Sequence, residues 1–155
     1  MGMTVTLDGM NHTRAIHHDL GKEMGLGECA ASGGDLSPID LLAIGLASCL
    51  ILVMAKSARK KGIDLTGTWA EVADEVKDYK IAAISVKIRS PQNPSDADRE
   101  FLEKESHNCP VYLAIEGNVT LNVLFDWGSS ARSTEKLQNK IHPSHSTCSA
   151  SSPNP

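Results

Sequence analysis

The sequence has few aromatic residues and no excess of positive charge. Aromatic residues make up 4% of its 155 residues, and acidic residues outnumber basic ones, which leaves a net charge of -4. Domains that bind nucleic acids usually carry a basic stripe with aromatic side chains interleaved. The composition therefore argues against a nucleic-acid partner.

Signals for export and membrane insertion are also missing. Residues 1–14 show neither the basic start nor the apolar run of a signal peptide. We find no stretch of about 18 consecutive apolar residues, the length needed to span a bilayer. We therefore expect a cytoplasmic protein without a membrane partner.

Cysteine is scarce, with four in the chain. Persistent disulfides are disfavoured in a reducing compartment. A domain of this size buries roughly 68 to 70% of its unfolded surface, so its stability requires neither a disulfide nor a structural metal. The thiols are therefore inert packing groups, metal ligands or participants in transient redox chemistry.

The distribution of turns and apolar residues predicts an α+β fold with the order β-β-α-β-β-α-β. A hairpin is predicted at the N-terminus, followed by a glycine-rich loop over about residues 19–36. Two adjacent strands, a second helix and a last strand follow the central helix. Their predicted ranges are 68–76, 80–90, 96–108 and 117–127.

The most distinctive element is a long apolar helix predicted over residues 38–61. Ser37 provides a capping hydroxyl, Pro38 suits the first helical position, and Asp40 lies in the first turn. Gly62 ends the helix after a basic stretch. Because most of its circumference is apolar, we expect the helix at the centre of the fold or in a subunit interface.

The C-terminal segment differs from the rest of the chain. Residues 128–155 contain eight serines and three prolines, too little apolar material to offset the entropy of ordering. We therefore predict one domain over residues 1–127 and a disordered or loosely docked tail. His142, His145 and Cys148 have the chemistry of metal ligands, but their loose spacing in such a tail does not predict a metal site.

Two cysteines fall on the apolar faces of the two predicted helices. Cys49 shares a face with Leu46 in the long helix, and Cys109 follows Leu102 by seven residues. Packing of the helices could bring their Cα atoms within the roughly 4.4 to 6.8 Å that a disulfide requires. Either residue can instead be a small apolar packing group, whose burial would raise the thiol pKa. Cys29, in the glycine-bearing loop, is interpreted as a spectator.

Several motifs together resemble the OsmC and organic hydroperoxide resistance family. They are the helix sequence SPIDLLAIGLASC, the following KKGIDLTG, and SDADREFLEKESHNCPV near the second cysteine. The resemblance extends over residues 4–127. It implies an OsmC-like fold and an intertwined homodimer, with the long helices at its centre and two active sites at the subunit interface.

The resemblance also implies roles for three residues. Cys49 would be the thiolate that attacks an organic hydroperoxide, and Cys109 would resolve the resulting sulfenic acid as a disulfide. Arg14 would hold the thiolate and polarise the peroxide, although an exposed strand arginine is an equal alternative, and Lys56 is a second candidate cation. A dithiol reductant of the dihydrolipoamide type would restore both thiols without a bound cofactor or metal.

One position departs from the family pattern. Ile39 stands directly after the helix-opening proline, where the best-characterised peroxidases have an acidic residue. Asp40 lies nine residues before Cys49, which places the two about 180° apart around the helix. This departure favours an alternative, a redox sensor or small-ligand-binding dimer without efficient turnover. A third interpretation makes both cysteines inert residues of a dimer core.

Histidines offer weaker signals. His17 and His18 are adjacent on a predicted strand and point to opposite faces, so they cannot bind one metal ion together. His107 lies near Cys109, but a histidine that complements the dipole at a helix end is the favoured interpretation.

Overall fold

The computed structural model describes residues 2–27 and 36–129, which form two compact units. The first unit comprises residues 2–27 and 36–38, and the second comprises residues 39–129. Cys29 and residues 130–155, with the candidate ligands in the tail, lie outside the described residues. The prediction of a disordered or loosely docked tail therefore stays a prediction.

A three-stranded antiparallel sheet forms the first unit. The predicted hairpin is confirmed, and Gly9 permits its turn with a φ of 101°. The predicted loop is wrong over its first part, because residues 22–27 pair with the hairpin as a third strand. Two glycines weaken the strand signal of this segment, yet its backbone groups are paired by the neighbouring strand. The strands are β1 (Met3–Leu7), β2 (His12–His17) and β3 (Lys22–Gly27).

The second unit packs helices against a mixed three-stranded sheet. Its central strand is antiparallel to one neighbour and parallel to the other, so Val86 lies between Val72 and Val123. A parallel pair requires a long crossover, which here consists of two helices. The elements are α1 (Pro38–Lys60), β4 (Trp69–Lys77), β5 (Lys80–Ser90), α2 (Asp96–Ser106), α3 (Pro110–Ile115) and β6 (Thr120–Trp127). The predicted α+β class is confirmed, with β3 and α3 as additions.

The hydrophobic core lies between α1, β5 and α2. One face of α1 is fully buried against inward-facing side chains of β5 and against Leu102 of α2. The opposite face of α1 is open, with Ile44 42% and Leu52 69% exposed. Within the described part of the chain, α1 is therefore buried on one face and not nearly all round its circumference. The buried side chains of the core include Leu46, Leu50, Met54, Ile84, Val86 and Ile88.

Helix α1 is long and apolar enough, by length and composition, to cross a membrane. Our expectation that no segment could do so is wrong by this criterion, because small polar residues such as Ser48 and Cys49 scarcely interrupt its apolar character. The core helix of a soluble protein passes the same test. One face of α1 lies in the core as in such a helix, and 28% of its apolar window is buried within the described part of the chain.

The segment around the second cysteine contains two helices where one was predicted. Ser95 caps α2 as predicted, accepting a hydrogen bond from the Asp98 backbone N–H at 3.2 Å. Helix α2 ends at Ser106, earlier than predicted. Pro110 does not simply stop a helix but opens α3, because its fixed φ and missing N–H suit a first helical position.

Candidate thiol site

Cys49 and Cys109 both belong to the second unit, and both are free thiols. Cys49 lies well inside α1 and is partly buried, beside the fully buried Leu50. Cys109 has no exposed surface. It occupies the N-cap position of α3, and its sulfur accepts a hydrogen bond from the Tyr112 backbone N–H at 3.4 Å.

The two thiols lie in one packed cluster. Cys109 belongs to the buried core and Cys49 packs against that core, so the structure brings together the two cysteines that the sequence places on different elements. Burial is the main cause that raises the pKa of the Cys109 thiol, and hydrogen bonding with Cys49 raises it further. The backbone N–H groups of Tyr112 and Val111 oppose that shift. Cys109 therefore holds its proton more tightly than a free cysteine.

Contacts between α1 and α2 maintain this juxtaposition. Lys61, just beyond α1, forms an ion pair of 2.6 Å with Asp98 and lies 4.5 Å from the centroid of the Phe101 ring. Ser57 of α1 donates a hydrogen bond of 3.2 Å to the Glu105 carboxylate. The C-terminal half of α1 is thereby attached along α2, whose end leads into the loop that carries Cys109.

Glu105 was missed by sequence analysis, as was the helix start at Cys109. A glutamate on a charged helix carries no local signal of contact with another helix. A signal for the cap did exist, since a polarisable side chain directly before a proline can mark the N-cap and first position of a helix. The predicted second helix, over residues 96–108, instead stops before the Cys109-Pro110 step.

His107 packs into an aromatic cluster beside the site. Its ring contacts Tyr112 edge-on at a centroid distance of 4.8 Å and lies 6.3 Å from Phe125. Its Nδ1 hydrogen bonds with the Glu103 carbonyl oxygen at 2.9 Å, so Nδ1 carries the proton. His107 is the C-cap residue of α2. His107 therefore lies at a helix end, as predicted. It is half-buried in the aromatic cluster and has less solvent contact than expected.

The two candidate cations lie on different elements. Arg14, on β2 of the first unit, forms an ion pair of 2.6 Å with Asp8 and another of 3.2 Å with Glu23. The hydrogen bond with Asp8 is the main cause that raises the pKa of Arg14. About half of its side chain is exposed. Lys56 is exposed on α1.

The remaining predicted positions take part in local structure. Ile39 and Asp40 lie in the first turn of α1, and both are partly buried. His17 Nδ1 accepts a hydrogen bond from the Leu20 backbone N–H, and His18 Nε2 is 2.7 Å from the Thr4 hydroxyl. Within residues 2–27 and 36–129, no group of three histidine, cysteine or acidic side chains is arranged to hold a metal ion.

Comparison with known proteins adds a family assignment by sequence. A family model described as OsmC-like protein matches residues 31–124. A comparison with proteins of curated function gave no match.

Solved structures share the fold. A protein from Psychrobacter arcticus, named for osmotic stress induction and a detoxification response, is 28% identical with a TM-score of 0.74, covering 79% of this chain and 93% of its own. An OsmC-like protein from Mycoplasma pneumoniae is 20% identical with a TM-score of 0.70, and the match covers 83% of this chain and 96% of that protein. The organic hydroperoxide resistance protein OhrB of Bacillus subtilis is 19% identical with a TM-score of 0.61, and the match covers 81% of this chain and 98% of that protein.

Proposed function

The chain belongs to the OsmC-like protein family, and from this premise we propose that it is a thiol-dependent peroxidase that reduces organic hydroperoxides. The observation that carries the proposal is the packing of Cys49 against the core to which Cys109 belongs. Two cysteines on separate elements of one packed cluster can form a disulfide when their Cα atoms approach within about 4.4 to 6.8 Å. The similarity to a structure named for organic hydroperoxide resistance supports the choice of substrate class.

The proposed reaction has three steps. The Cys49 thiolate attacks a peroxide oxygen, the O–O bond breaks, and the alcohol leaves after taking up a proton. Cys49 is then a sulfenic acid, which the Cys109 thiol attacks to form a disulfide and release water. A dithiol of the dihydrolipoamide type reduces this disulfide by exchange and becomes a disulfide itself. We place the cycle in the cytoplasm, where such reductants are kept reduced.

Division of the roles follows from the surroundings of the two sulfurs. Cys49 is the partly exposed member of the pair, so a substrate can reach it, whereas Cys109 is fully enclosed. A raised pKa disfavours the thiolate of Cys109, which makes it a poor attacking group for a peroxide. The enclosed thiol is therefore suited to the resolving step and the accessible thiol to the attack on peroxide.

The proposal includes a homodimer. Ile44 and Leu52 form an apolar strip on the open face of α1, and Met3, Val5 and Leu7 are exposed along β1. Exposed apolar surfaces of this kind are typical of subunit interfaces. A second copy that covers α1 would complete the burial expected from the sequence of this helix.

Arg14 is the proposed cation for the attack on peroxide. Its guanidinium is held by Asp8 and Glu23, so this role requires it to release at least one carboxylate. Arg14→Gln should slow sulfenic acid formation by about 100-fold, the usual cost of losing one donor to a developing charge. Lys56→Gln is the matched test of the second candidate. A larger loss from Lys56→Gln than from Arg14→Gln would transfer the role to the lysine.

Mass spectrometry with stoichiometric cumene hydroperoxide tests the central claim. The wild type should lose two hydrogens and contain a peptide linked through Cys49 and Cys109. Cys109→Ser should stop at a sulfenic acid that dimedone traps on Cys49, and Cys49→Ser should consume no peroxide. Cys29→Ser serves as the control and should behave as wild type. No change in either thiol of the wild type would refute the proposal and leave the cysteines as packing residues.

Ile39 favours a second candidate function. Without an acidic side chain at that position, the protein would oxidise once and then act as a redox sensor, or bind a small apolar or electrophilic ligand. Steady-state assays with dihydrolipoamide distinguish the two functions. Many turnovers per dimer would support the peroxidase, whereas rapid oxidation without further turnover would support the sensor.

A further inference from the structure

The Glu105 carboxylate connects the helix of one thiol to the loop of the other. Its Oε2 accepts a hydrogen bond from the Ser57 hydroxyl at 3.2 Å, and its Oε1 accepts one from the Asn108 side-chain amide at 3.3 Å. Ser57 is a buried residue of α1, the helix that carries Cys49. Asn108 directly precedes Cys109. One side chain thus spans both sides of the thiol pair without contacting either sulfur.

The Asn108-Cys109 segment joins α2 to α3. Its backbone is held by the Asn108 N–H, which donates to the Glu105 carbonyl at 3.0 Å, and by the Cys109 carbonyl, which accepts from the Leu113 N–H at 3.0 Å. Neither bond reaches α1, so the Glu105 side chain supplies a link between this segment and the helix of Cys49. A disulfide forms only within a narrow range of Cα separations and side-chain directions. A small displacement of the Asn108-Cys109 segment would therefore remove the Cys109 sulfur from the line of attack on Cys49.

We propose that Glu105 is a positioning residue for the resolving step. This inference rests on the peroxidase function proposed above. In that step the Cys109 thiol attacks the sulfenic sulfur of Cys49, an S–S bond forms, the S–O bond breaks, and the thiol proton leaves with the hydroxyl as water. Glu105 takes no part in this exchange of atoms. It holds the loop of Cys109 against α1 so that the two sulfurs meet.

The role predicts a separation of the two oxidation steps. Sulfenic acid formation at Cys49 does not involve the loop of Cys109, so Glu105→Ala should leave its rate within about twofold of wild type. Closure of the disulfide should slow by about 10- to 100-fold, the effect expected when a reacting group is misplaced by a fraction of an ångström or more. Glu105→Gln keeps one oxygen acceptor for the Asn108 amide, and its own amide can donate to the Ser57 hydroxyl oxygen, so it should restore part of the closure rate.

Single-turnover experiments on the full chain measure both rates. Stopped-flow mixing with cumene hydroperoxide, followed by quenching in dimedone or in an alkylating agent, separates sulfenic acid from disulfide. Glu103→Gln is the matched control, because Glu103 lies on the same helix but bonds Trp127 Nε1 at 2.8 Å. Ser57→Ala removes only the α1 end of the connection and should slow closure in the same direction, which keeps the test valid if Glu105→Ala does not fold.

Four outcomes decide the proposal. Slow closure with unchanged sulfenic acid formation, partly restored in Glu105→Gln, supports it. Closure at the wild-type rate in folded Glu105→Ala and in Ser57→Ala overturns it. A parallel fall of both rates also overturns it, since that result indicates a general structural effect. If the wild type itself forms neither sulfenic acid nor disulfide, the peroxidase function fails, and the role of Glu105 is overturned with it.

Discussion

Shortening one exposed side chain on α1 tests the proposed dimer directly. Leu52 is 69% exposed although its helix forms the centre of the core. Fully burying a leucine side chain contributes about 1.5 to 3 kcal/mol. Covering the exposed fraction in a dimer would therefore contribute about 1 to 2 kcal/mol per copy. A twofold dimer contains the residue twice, so Leu52→Ala should weaken association by about 2 to 4 kcal/mol.

This free energy corresponds to an increase of about 30- to 1,000-fold in the dimer dissociation constant. Sedimentation velocity over a wide concentration range measures that constant for wild type and variant. Leu124→Ala is the control, because Leu124 is 62% exposed on β6, where its neighbours Val123 and Phe125 face the core instead. Equal dissociation constants for wild type and Leu52→Ala would refute the assignment of this face to the interface. A monomeric wild type would refute the dimer altogether.

Two further predictions concern stability. Asp78 and Tyr79 both have positive φ in the β4–β5 turn, at 50° and 60°, and the Tyr79 ring is fully exposed. This conformation costs a side-chain-bearing residue about 1 to 2 kcal/mol, and glycine loses about 0.5 to 1 kcal/mol in entropy, so Tyr79→Gly should raise the free energy of unfolding by up to about 1 kcal/mol. Urea unfolding checks this, and an equal gain in Tyr79→Ala would contradict the backbone explanation. The pKa of Cys109 is raised in the folded state. Its contribution to the free energy of unfolding is therefore complete below the pKa of an unfolded thiol, about 8.5. That contribution is lost as the pH rises through the pKa of the folded state. The urea midpoint of wild type should therefore fall more steeply above about pH 8 than that of Cys109→Ala, and parallel pH profiles would argue against the shift.

Sequence patterns predicted the structure best where the conformation depends on residues nearby in the chain. Pro38 begins α1 and Ser95 caps α2 at the predicted positions, because capping involves groups within one helical turn. The alternation of β-branched residues likewise predicted β4 and β5. These signals, with the family resemblance, were sufficient for the α+β class.

Two elements escaped prediction for opposite reasons. In β3 the glycines weaken the intrinsic strand preference, and pairing with β2 compensates for it. Around Cys109 the proline was visible, but a proline near a helix end is compatible with stopping one helix or starting the next. The path of the chain between β5 and β6 shows that Pro110 starts a helix. This crossover must turn back so that β6 can pair with β5 in parallel.

The sequence by itself determined that Cys49 lies on a long apolar helix, because the direction of a side chain on a helix follows from residue spacing. It also determined where α1 and α2 begin, through caps made by adjacent residues. The predicted place of Cys109 on the apolar face of the second helix is wrong, since α2 ends at Ser106 and Cys109 caps α3. Only the tertiary structure decided that Cys49 packs against the core that contains Cys109 and that Glu105 of α2 bonds Ser57 of α1. Those contacts join residues far apart in the chain, and their geometry is set by how α1 packs on β5 and α2, which no local pattern records.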